Sequence, residues 1–186
     1  TWENIIRKII FELVDIKNDT NIHDIPKSNN KLKEGENCSI KTTGSCTICC
    51  GDLLRFYNYD FDDINTIIVI KYTQTDTHKN IKNIYEIDYN KECHKLLFGD
   101  LPKEVLERYV KGVKSIPAKT KGNEAKAIFD YIKEKKEIGK KYNHLISINP
   151  KVDSSQSRVQ CSINNFEKKL KKFITYKSSD DKPNIL

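Results

Sequence analysis

The residue types best suited to attack on a phosphodiester lie close together in one stretch. It runs Asn37-Cys38-Ser39-Ile40-Lys41-Thr42-Thr43-Gly44-Ser45, and Cys49-Cys50-Gly51-Asp52-Leu53-Leu54-Arg55-Phe56 follows shortly. Phosphodiester hydrolysis needs an activated water, neutralisation of the phosphate charge and stabilisation of the leaving oxygen. One or two hard cations held by carboxylates supply much of this, and a lysine near the water and the phosphate completes the set. On a strand, residues two apart share a face, so Ser39 and Lys41 can address the same group. Asp52, 11 residues after Lys41, opens the next apolar segment and supplies a carboxylate. Ser39, Lys41 and Asp52 are therefore expected in one metal-dependent site. The plainer alternatives are a solvated edge-strand lysine and an aspartate that only caps a helix, for which Gly-Asp before Leu-Leu is well suited. Capping does not exclude a metal role.

These residues must be held by elements legible in the periodicity. Residues 2–16 read as an amphipathic helix with Ile5, Ile6, Ile9, Ile10, Leu13 and Val14 on its apolar stripe. Pro26 biases Ile25 towards an extended conformation, giving a short strand near 22–25. Residues 37–43 form a strand with Cys38 and Ile40 on one face and Asn37, Ser39, Lys41 and Thr43 on a polar one. Residues 52–59 fit a short helix or a strand. The β-branched run Ile64–Tyr72 and the alternating Ile81–Tyr89 pair as a hairpin. Helices are expected over Pro102–Lys114, with Pro102 in the first turn, and from Asn123 to about Tyr142. The inward stripe of the latter is Ala127, Ile128, Tyr131, Ile132 and Ile138. Strands His144–Asn149 and Arg158–Ile163 follow, and from Lys168 a basic helix leads into a polar tail. The fold class is mixed α/β, a central mixed sheet flanked by helices. No linker splits the chain, so residues 1–186 read as one domain with a catalytic part, 1–100, and a basic part, 101–186.

Charge supports that division. Residues 1–100 carry 13 Lys+Arg against 16 Asp+Glu, whereas 101–186 carry 20 against 10. An acidic half suits a metal and a basic half suits phosphate. AT-rich coding bias towards Lys, Asn and Ile is the plainer explanation. No apolar run reaches the roughly 18 residues needed to cross a bilayer. No signal peptide is visible, and with no Met the chain reads as a fragment, or as processed or renumbered. The six cysteines lack the density of a secreted disulfide framework. Inert thiols in a reducing, cytoplasmic setting are expected.

Other placements compete. Val69-Ile70-Lys71, after Asp62-Asp63, is a second strand-borne lysine without a carboxylate at the partner position. Glu86 and Asp88 share a strand face and could hold a cation. Cys46-Thr47-Ile48-Cys49 has zinc-knuckle spacing that Cys93-His94 could complete. For holding DNA, the best reader is the loop Lys151–Ser157 with its following strand. Ser154, Ser155, Gln156 and Ser157 offer small hydrogen-bonding groups, and Arg158 and Gln160 share a strand face. Arg matches guanine and Gln matches adenine in the major groove. Lys151 and the Lys168–Lys172 cluster suit phosphates. A solvent-facing hairpin is the plainer alternative.

With Ser-x-Lys at 39–41 and a displaced acid at Asp52, the chain resembles the type II restriction endonucleases of the PD-(D/E)XK superfamily, in the branch with Ser where a carboxylate is usual. In that branch the displaced acid is usually a glutamate a few residues further on. The resemblance covers roughly residues 5–90. It implies an upstream metal-binding aspartate, best matched by Asp24, with Asp19 and Asp15 as fallbacks. It also implies a first-helix acid near the metals, matched by Glu12. The expected activity is sequence-specific, Mg²⁺-dependent cleavage of double-stranded DNA, with Asp24, Asp52 and Glu12 as metal ligands and Lys41 and Ser39 in support. The resemblance further implies a homodimer. The alternatives are a non-catalytic nucleic-acid-binding module and a zinc-stabilised interaction domain.

Overall fold

A computed structural model describes residues 23–31, 33–118 and 124–178. The predicted helix at 2–16, and with it Glu12, Asp15 and Asp19, lies outside the described residues. The elements in chain order are β1 (Glu36–Thr43), β2 (Thr47–Asp52), α1 (Leu53–Tyr57), β3 (Ile64–Gln74), β4 (Lys79–Asp88), α2 (Lys91–Phe98), α3 (Lys103–Lys114), α4 (Glu124–Lys141), β5 (Ser147–Val152), β6 (Ser157–Asn164), α5 (Phe166–Lys169) and β7 (Ile174–Lys177). The fold is mixed α/β, as expected, with a mixed four-stranded sheet and a separate three-stranded one. The chain forms two compact units. Among the described residues the first comprises 23–31, 33–48, 60–93 and 165–178, and the second comprises 49–59, 94–118 and 124–164.

In the first unit the strand order is β1-β3-β4-β7. β1 runs parallel to β3, with Ser39 opposite Ile67 and Lys41 opposite Val69. β3 and β4 form the predicted antiparallel hairpin. The extended stretch at Ile25 appears as a single antiparallel bridge to Cys38, which satisfies both backbone groups of each residue. One sheet face is closed by Ile25, Cys38, Ile40 and Ile70. By strand alternation Ile67, Val69, Tyr85 and Ile87 lie on the opposite face, where Phe166 meets Tyr85 edge-on at 5.1 Å. On the predicted polar face of β1, Asn37, Ser39 and Thr43 are buried. Asn37 accepts from the Lys27 amide at 2.9 Å, and Thr43 Oγ1 donates to the Thr47 carbonyl at 2.7 Å. These bonds offset the cost of taking Asn37 and Thr43 out of water.

The expected basic helix from Lys168 is also corrected. It is one short helix and a 3₁₀ turn (Lys171–Phe173), after which Ile174–Lys177 pairs antiparallel with β4 as an edge strand. Phe166, Leu170 and Phe173 are buried, so this segment serves the core as well as carrying charge.

The second unit packs α1, α3 and α4 with the sheet β2-β6-β5. In α3, Leu106, Tyr109, Val110 and Val113 fall at i, i+3, i+4 and i+7 and are all buried. Each such side chain contributes about 1.5–3 kcal/mol by leaving water. Pro102 sits one position earlier than expected, at the N-cap, where its carbonyl accepts from Leu106. In α4 the predicted stripe holds at Ile138, which is buried, but not at Ile132, which is exposed together with Phe129.

Candidate functional site

The structure brings two of the predicted site residues together at the edge of β1. Asp24 immediately precedes the Ile25 bridge, and that bridge carries its carboxylate alongside the strand. Oδ2 accepts the Ile40 amide at 2.6 Å and the Lys41 ammonium at 3.4 Å. The pair is partly open, with side-chain exposures of 22% for Asp24 and 26% for Lys41. The ammonium, reachable from solvent, can hold a phosphate oxygen, and the carboxylate beside it can orient the ammonium or hold a cation. Ser39 shares the strand face of Lys41 but is buried, so it supports the strand rather than meeting solvent.

On the face of β1 that carries Cys38 is a charged cluster that the sequence did not single out as a unit. Lys33 pairs with Glu86 at 2.7 Å and stands 3.9 Å from Glu36, while Thr66 donates to Glu36 at 2.7 Å. Burial works against the charge on Lys33, but the hydrogen bond and attraction from Glu86 outweigh it and raise its pKa. Cys38 lies against this cluster, and its thiol is pushed up to about 12, first by burial and then by the negative charge of Asp24. Glu86 is thus committed to Lys33, and Asp88, its supposed partner, accepts from Asn90 Nδ2 at 2.8 Å.

Asp52 belongs to the second unit. It is the N-cap of α1, its Oδ1 accepting the Arg55 amide at 3.0 Å, and its other oxygen lies 3.8 Å from Lys114. Gly51, near the end of β2, has φ +85°, a conformation that favours glycine, and turns the chain into this cap. The capping signal was legible in Gly-Asp-Leu-Leu, and the cap leaves a further ligand role open.

The second strand-borne lysine, Lys71, is paired after all, by a residue far along the chain. Glu167 Oε1 lies 2.5 Å from its ammonium, and Cys46 Sγ lies 3.5 Å away. The Glu167 hydrogen bond keeps Lys71 charged above the ordinary lysine range, and Lys71 in turn holds the Glu167 carboxyl below its own.

Among the described residues, no three His, Cys, Asp or Glu side chains gather to hold a metal ion. All six cysteines are free thiols. Cys93 is fully buried, and His94 packs against Tyr57 and Phe98 with its pKa pressed down to about 4 by burial. The Cys161 thiol is pushed well up by its hydrogen bond with Cys50 and by burial.

The predicted reading residues form one hairpin of the second unit. β5 and β6 pair antiparallel with Lys151 opposite Arg158 and Asn149 opposite Gln160. Ser154, Ser155 and Gln156 are exposed in the connecting turn. In the Lys168–Lys172 cluster, Lys172 is paired with Glu92.

No helix among the described residues is long and apolar enough to cross a membrane. Comparison with known proteins returns no family model, no curated protein and no solved structure that matches this chain.

Proposed function

We propose that the protein is a sequence-specific, Mg²⁺-dependent endonuclease acting on double-stranded DNA inside the cell, as a homodimer. The observation that carries this is the meeting of Asp24 with Lys41 at the open edge of β1. The net charge of +7, with the excess in 101–186, suits a polyanionic substrate. Mg²⁺ keeps most of its water and takes only one or two protein carboxylates plus substrate phosphate oxygens. Asp24 would supply one such carboxylate. Bound there, the ion would neutralise phosphate charge and acidify a water. Lys41 binds a non-bridging phosphate oxygen through its ammonium. Asp24 holds that ammonium in place, and its bond to the Ile40 amide fixes the carboxylate to the strand. Ser39, packed beneath the same face, keeps the strand in register.

The test is incubation of the protein with plasmid DNA and Mg²⁺. Discrete fragments are expected, and Lys41→Ala should abolish them while leaving the circular dichroism spectrum unchanged. Binding without cutting would instead identify a non-catalytic nucleic-acid-binding module. That reading would rest on the basic excess in 101–186 alone, with Lys41 as a surface residue.

A further inference from the structure

The β5–β6 hairpin has one apolar and one wholly polar face. Ile148, Val159 and Cys161 are buried on the first. On the second, strand alternation and register align Ser147, Asn149 and Lys151 with Ser162, Gln160 and Arg158. Two cations, Lys151 and Arg158, stand directly opposite each other, an arrangement that destabilises a bare sheet by like-charge repulsion. Asp153 relieves part of it. One carboxylate oxygen lies 3.1 Å from an Arg158 terminal nitrogen. The other accepts the Ser155 and Gln156 amides at 3.1 and 3.0 Å and the Ser155 hydroxyl at 2.9 Å. The same carboxylate thus builds the turn and fixes the guanidinium. Arg158 is only about a third exposed, at 36% of its side chain. Its Nε–H is buried and finds no acceptor among the described residues. The trio Lys151, Arg158 and Asp153 keeps one net positive charge.

We infer that Asp153 is a positioning residue for base recognition, holding Arg158 so that its fork reads a base edge while Lys151 meets the backbone of duplex DNA. This rests on the nucleic-acid reading above and deepens it by naming what sets specificity. β6 is the central strand of the sheet β2-β6-β5, so the turn end of the hairpin is the part offered to a groove; in the major groove of B-form DNA an arginine fork matches the two acceptors of guanine and an amide matches adenine. Gln160 and Asn149 place two amides beside the arginine on the same face, and Asn149 is oriented by its 2.9 Å bond to Ser162. The deep, narrow major groove of A-form RNA would not admit this face. Asp153 neutralises Arg158 at long range, which weakens its pull on any phosphate and leaves geometry as its contribution. Phosphate contacts position a protein, whereas base contacts specify the sequence.

The test uses the full chain and a pool of short DNA duplexes with a randomised centre, with selection of bound sequences and titrations across salt concentrations. Asp153→Asn keeps an oxygen acceptor for the turn and removes the charge that holds Arg158. It should retain the fold, steepen the salt dependence of binding by about one unit of slope, and reduce the preference for the selected sequence about tenfold. Arg158→Lys should keep the salt slope and lose the same preference. Lys151→Ala should weaken binding to all duplexes alike. If the wild type selects a sequence and Asp153→Asn selects it equally well with the same salt slope, the positioning role is overturned and the nucleic-acid reading stands. If the wild type binds no duplex, both fall.

Discussion

Replacing Asp24 by alanine removes one oxygen that holds two groups at the edge of β1. The Ile40 amide lies 2.6 Å from it and the Lys41 ammonium 3.4 Å. A hydrogen bond from a backbone amide to a charged acceptor contributes about 1.5–3 kcal/mol, because its loss leaves an N–H unsatisfied at a buried residue. Ile40 is buried, so water replaces the lost acceptor poorly. The partly exposed ion pair adds about 0–1 kcal/mol. The sum is about 2–4 kcal/mol, which for a chain of this size lowers Tm by roughly 4–16 °C. Asp24→Asn offers the amide an uncharged acceptor of the same shape and should cost about 1 kcal/mol or less. The two substitutions therefore separate structure from chemistry. Thermal melts followed by circular dichroism should rank wild type, Asn and Ala in descending order, with Asn close to wild type. Under the proposed function, Asn should nevertheless lose plasmid cleavage with Mg²⁺. A melt of Asp24→Ala indistinguishable from wild type would refute the edge-holding role. Wild-type cleavage by a well-folded Asp24→Asn would refute the use of this carboxylate in hydrolysis.

Further expectations follow from other contacts. Gly99 has φ +57°, and a Cβ there would meet the Asn143 carbonyl oxygen at 1.7 Å, so Gly99→Ala should destabilise by about 3 kcal/mol or more, read in urea unfolding. Glu167 has its pKa lowered by Lys71, so its stabilisation is complete above the unfolded glutamate pKa near 4.5 and fades as pH falls through the lower folded value. Glu167→Gln should accordingly melt below wild type at pH 7 and converge with it in acid. His94 is neutral in its aromatic pocket with a pKa near 4, so the unfolded chain binds more protons between that value and 6.5. Stability should fall as pH drops through that window, and NMR should show the His94 ring titrating near 4.

Much of the first unit was legible in local pattern. The β-branched run at 64–72 and the alternation at 81–89 gave the β3–β4 hairpin, because burial on a pleated sheet imposes a period of two wherever it occurs. The stripe of α3 and the cap at Asp52 were legible for similar reasons, since both are set within a few residues of chain. β2 was missed because Thr47–Asp52 has neither clean alternation nor β-branched weight beyond Thr47 and Ile48, and its strand state comes from pairing with β6. β7 was missed because the lysines at 168–172 masked the buried Phe166, Leu170 and Phe173 that lead into it. In the candidate site, the sequence supplied the residue types but not their company. Asp24 and Lys41 meet because one bridge beside β1 sets the register between them. Lys71, set aside for lack of a nearby acid, finds Glu167 from 96 positions away. Composition and periodicity are fixed by each residue and its chain neighbours, and these determined the fold class, most elements and the basic character of the second half. Which charges face one another depends on how distant segments cross. Pairing energies act through space rather than along the chain, and only the tertiary structure decided them.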